Sequence, residues 1–72
     1  MVISSLVVET LPESTEAAAQ ELSAIEGVEV HETNGSKIVV TIEAETIDAS
    51  HSTASSFVNI CGVTGVNLVY AN

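Results

Sequence analysis

Seventy-two residues suffice for one small domain, near the lower limit for burying a core without a metal or crosslinks. An apolar share of 46% excludes a disordered chain, and ten carboxylates against the single basic residue Lys37 give a formal charge of -9, which repels nucleic acid and anionic membranes and attracts a basic peptide. One cysteine excludes an internal disulfide and fits a reducing compartment; the first apolar run has no basic region before it and is too short for a signal peptide or a membrane span.

Val2 to Glu9 reads as the first strand, with Val2, Ser4, Leu6 and Val8 on the core face and Ile3, Ser5, Val7 and Glu9 on the other. Thr10-Leu11-Pro12-Glu13 breaks it. Pro12 suits the start of a helix, where its missing N–H costs nothing; Thr10 with Glu13 resembles a capping box, and Ser14 is an alternative cap. Glu13 to Glu26 is predicted helical, with Ala18, Leu22 and Ile25 as its buried stripe and Gly27 as its C-cap.

Val28 to Glu32 alternates, valines in and polar residues out, and Thr33-Asn34-Gly35 is a turn. A two-residue Asn34-Gly35 loop pairs Val30 with Val39. A three-residue loop with Gly35 at positive φ pairs Val30 with Ile38 and Val28 with Val40, and is favoured because it gathers Val28, Val30, Ile38, Val40 and Ile42 on one face. Lys37 to Glu43 is the plainest strand, apolar or small on both faces, so it belongs in the middle of a sheet.

Thr46 is the expected cap of a second helix over Ile47 to Cys61, whose inner side is Ile47, Ala54, Phe57 (or Val58) and Ile60. Its serine-rich middle has low helix propensity, so packing must supply its stability. Gly62 ends it, and Val66 to Tyr70 is the last strand, with Val66, Leu68 and Tyr70 on one side and Asn67 and Val69 on the other. An internal echo, Ile25-Glu26-Gly27-Val28 and Ile60-Cys61-Gly62-Val63, divides the chain into two β-α-β halves. The expected architecture is α+β and ferredoxin-like, β-α-β-β-α-β, a four-stranded antiparallel sheet with both helices on one face and strands one and three central.

Helices packed over Val2, Leu6, Val8, Val30, Val40 and Leu68 leave the opposite face bare. Ile3, Ser5, Val7, Glu29, His31, Val39, Thr41, Asn67 and Val69 line it, and the carboxylates of Glu9, Glu29, Glu32 and Glu43 ring it. A bare face of this kind serves peptide or protein binding, self-association, or nothing beyond β-propensity. His31, His51 and Cys61 share no ligand spacing, Gly62-Val63-Thr64-Gly65 lacks the lysine and helix of a phosphate loop, and no carboxylate pair is forced into acid–base geometry. No metal site, cofactor or catalytic residue is expected, and the chain does not read as an enzyme.

Ile3-Ser4-Ser5-Leu6-Val7-Val8, Gly27-Val28-Glu29-Val30, the run from Gly35 to Glu45 and the close from Gly62 to Tyr70, ending Leu68-Val69-Tyr70, together resemble the NapD family over nearly the whole chain. The resemblance implies one domain over residues 1–72, a cytoplasmic chaperone with a ferredoxin-like fold. Its partner would be the twin-arginine signal peptide of the periplasmic nitrate reductase catalytic subunit, or of a related molybdoenzyme, with export delayed until the cofactor is inserted. It implies a helical peptide on the open sheet, with contacts at Ser5, Val7, Val39, Thr41, Asn67 and Val69 and the acidic Glu9, Glu29 and Glu43 facing the arginines. A monomer or weak dimer is expected. The alternatives are an assembly or regulatory module that homodimerises through the open face, and a small-ligand domain of amino-acid-sensing type. Two features depart from the family pattern: Ala71-Asn72 follow Tyr70 where histidine is frequent, and the second helix is rich in serine, with Ala54 where a larger residue would fill the core better.

Overall fold

A computed structural model describes residues 1–71, the side chains of Tyr70 and Ala71 excepted. The strands are β1 (Val2–Thr10), β2 (Val28–Asn34), β3 (Lys37–Ala44) and β4 (Val63–Ala71); the helices are α1 (Thr15–Ser23) and α2 (Ile47–Ser56). They form one antiparallel sheet in the order β2-β3-β1-β4, with α1 and α2 on one face. The ferredoxin-like expectation holds, and β1 and β3 are the central strands. The placement of Tyr70 on the core side falls on a side chain outside the description.

Period-two alternation in the two central strands makes the core. Leu6 and Val8 face Val40 and Ile38 across the ladder, and Ser4 faces Ile42; all are buried. α1 closes one half of this layer with Ala18 and Leu22, and Phe57, fully buried, closes the other. Burying a phenylalanine of this kind contributes about 2–3 kcal/mol.

Several local expectations need correction. Thr10 forms no capping box: it ends β1 buried, shares a 2.7 Å hydrogen bond with the Thr15 hydroxyl and donates to the Ser36 carbonyl at 3.2 Å. Neither it nor Ser14 caps by side chain; Pro12–Ser14 is a 3-10 turn leading into α1, which ends at Ser23 rather than Glu26. The second helix also stops early, and Phe57–Asn59 continues as a 3-10 turn. Thr46 does cap it, accepting from the Ala49 N–H at 3.0 Å. That cap sets a phase in which Ile47 points outward and Ser50 inward, where the Ser50 and Ser4 hydroxyls share a buried 2.9 Å hydrogen bond.

The hairpin follows neither anticipated register. Asn34 pairs with Lys37, so the loop is Gly35-Ser36, with Gly35 at φ 63° and Ser36 not at positive φ, the pattern of a type II′ turn. A bulge at His31 then restores the face, pairing Val30 with Val40 and Val28 with Ile42. The echoed tetrapeptides are one repeated joint. In each the valine N–H reaches the isoleucine carbonyl at 3.1 Å, around Gly27 (φ 83°) and Gly62 (φ 91°). Leu68 faces Leu6 as expected but is 63% exposed, because the small side chains of α2 do not reach the β4 edge.

Candidate functional site

The bare face is ordered in rows by the strand registers. Asn67, Val7, Val39 and Glu32 form one row across all four strands. Ser5, Thr41 and Glu29 form the next, with Tyr70 as the backbone partner of Ser5. Glu9, between Lys37 and Gly65, lies beyond one side of these rows, and the Ile3–Glu43 pair lies beyond the other. The centre is therefore two half-buried valines, with hydroxyls on one flank and carboxylates farther out. Of the residues anticipated for this face, Val69 and His31 have no cross-strand partner: each is the extra residue of a bulge, Val69 between Leu68 and Tyr70 and exposed at the sheet edge, His31 between Val30 and Glu32.

The carboxylates are not equivalent. Glu9 lies directly opposite Lys37 and accepts a hydrogen bond from the Asn67 amide at 3.4 Å, so its charge is partly answered. Glu29 and Glu43 line a shallow depression of about 400 Å³ with Ile3, Gly27, Val28 and Thr41. Both are exposed, and the Glu43 N–H is fixed on the Gly27 carbonyl at 2.7 Å. Two negative charges beside an apolar wall form a place for a cation with an aliphatic stem.

Two contacts go beyond the expectation that His31 lines the face and Glu32 stands at its rim. His31, at its bulge, reaches Thr41, with Nε2 and the hydroxyl 2.8 Å apart. The same bulge sets Glu32 opposite Val39, bringing a third carboxylate to the end of the valine row. A long-range bulge leaves no period-two signature in the sequence. Elsewhere, no group of three or more His, Cys, Asp or Glu among the described residues is placed to hold a metal ion, and no described helix is long and apolar enough to cross a membrane.

The family model for the NapD protein matches residues 1–72. The solution structure of the E. coli Tat proofreading chaperone protein NapD is similar to this chain with a TM-score of 0.89 and 33% identity, over 94% of this chain and 74% of that one. No curated protein matches significantly. A match over the full length, a shared fold and one-third identity converge: this chain belongs to the NapD family of chaperones.

Proposed function

We propose that this chain is a cytoplasmic chaperone whose bare sheet face holds the twin-arginine signal peptide of a molybdoenzyme catalytic subunit. The periplasmic nitrate reductase subunit is the client in this reading, and export is held back until its cofactor is in place. The observation that carries it is the face itself, Val7 beside Val39 with the Glu29–Glu43 depression adjacent, in a chain of charge -9. A helical peptide lays apolar side chains over Ile3, Val7 and Val39, and Ser5, Thr41 and Asn67 offer polar partners beside them. Adjacent arginines on a helix project about 100° apart, so they cannot share one carboxylate pair. One enters the Glu29–Glu43 depression; the other lies along the rim toward Glu32 or Glu9. The acidic surface steers the basic peptide in, and salt weakens that steering.

Calorimetric titration with a synthetic twin-arginine signal peptide tests this. Binding should weaken with salt, and Glu29→Gln with Glu43→Gln should cost roughly tenfold in affinity. Val39→Asp should weaken binding further while leaving the thermal transition in place. The reading fails if lysine-for-arginine and glutamine-for-arginine peptides bind as well as the parent, or if the peptide shifts no amide resonances on β1 and β3.

A further inference from the structure

The carboxylates are unevenly placed: residues 49–72 contain no Asp, Glu, Lys or Arg, although the whole chain carries ten acidic residues. That stretch supplies most of α2, the turn Phe57–Asn59 and β4, which lie together at one side of the sheet. The two sheet edges differ accordingly. Both edges are bulged, but β2 also carries Glu29, His31 and Glu32, the usual charged protection of an open edge. β4 carries no charge, and beside it Ile47 (68% exposed), Val58 (62%) and Leu68 make an apolar strip. Leu6, His51, Ala54 and Leu68 line the groove between α2 and β4.

We infer that the β4–α2 side is a self-association surface, on which a second copy of this chain pairs its own β4 antiparallel about a two-fold axis. Charge selects the occupant. Two molecules of charge -9 repel wherever carboxylates approach, and residues 49–72 bring none to this side; Glu9 of β1 reaches β4 at Asn67, but on the face of the sheet opposite the groove. A basic partner finds nothing to recognise here, in contrast to the bare face. Bulges at Thr64 and Val69 bracket Gly65 to Leu68, the run held in regular register on β1. Its outer N–H and C=O groups pair across the axis, and Leu68, Val58 and Ile47 pack against the groove of the second copy. The strip is short, so the dimer is weak and concentration-dependent, and it leaves Val7 and Val39 open on both copies.

Sedimentation velocity on the full chain, from micromolar to millimolar concentration, tests the inference. A reversible monomer–dimer equilibrium is expected, tightening as salt screens the net charge. Leu68→Lys should raise the dissociation constant by about tenfold or more, since a two-fold interface meets the change twice. Ala17→Lys, which adds the same charge on the exposed side of α1, should not loosen the dimer. Should Leu68→Lys disturb folding, as read by thermal melting, Val58→Lys on the separate 3-10 turn carries the same expectation. A monomer at millimolar concentration in high salt overturns the inference. So does a dimer that survives both lysine variants and is abolished by Val7→Glu.

Discussion

In the first β-α-β half, α1 lays Ala18 and Leu22 onto the sheet, both fully buried, and turns its glutamates outward. In the second, α2 brings Ser50 and Ala54 to the sheet and relies on Phe57, one turn later, to fill the space. The connection from helix to strand is the same in both, down to the positive-φ glycine and the 3.1 Å bond across it. Topology is thus repeated while the seal is not. The first half is closed and acidic; the second carries no charge past Asp48 and leaves a groove beside Leu68. Small residues facing the sheet leave a void over it unless a large side chain such as Phe57 fills the layer.

Phe57→Ala should therefore have the largest effect of any single change. It removes the only phenylalanine, at zero exposure, and should cost about 3–5 kcal/mol, against a total stability of order 5–10 kcal/mol for a domain this size. Urea unfolding checks it. A loss no greater than that of an exposed-valine truncation such as Val58→Ala would mean that the second half is not organised around this ring. The joints give a smaller effect. An added Cβ at Gly62 collides with the Ser14 Cβ, and its φ of 91° is adverse for any L side chain. Gly62→Ala should cost about 2–3 kcal/mol, and Ser14→Gly in that background should recover the steric part but not the backbone part. Full recovery would show that φ imposes no constraint here.

Much of this was legible from alternation. The core residues of β1 and β3, and the bare row of Val7 and Val39, follow from period two because each side chain's face is decided within its own strand. Registers are not decided locally. Bulges at His31, Thr64 and Val69 depend on what the neighbouring strand requires, so the sequence does not disclose the His31–Thr41 contact or the place of Glu32. The second helix shows a different conflict. Hydrophobicity turns Ile47 inward, but the Thr46 cap fixes the phase one way and Ser4 awaits a polar partner beneath Ser50. A hydroxyl pair separated by 46 residues carries no pattern that a single sequence reveals. Among the site carboxylates, Glu9 was no more legible than Glu29, since only the β1–β3 register shows Lys37 opposite it.

That hydroxyl pair also offers the finest test of the unsealed half. Ser50→Ala strands the Ser4 hydroxyl, which is buried on the covered side, and Ser4→Ala does the reverse. In a dry core each single change should cost about 1–2 kcal/mol, and the double change little more than either single one, because removing both partners leaves nothing unsatisfied. Yet Ser4 and Ser50 also line the α2–β4 groove, whose cavity of about 120 Å³ has room for a few waters. Water entering there would satisfy the orphaned hydroxyl and reduce each single cost to below about 0.5 kcal/mol. Chemical denaturation of the three variants distinguishes the two cases. A strong coupling energy means that the groove stops short of the serines and the core is dry beneath it. Near-additive, near-neutral changes mean that solvent reaches the underside of α2, and that the difference between the two halves extends to the sheet itself.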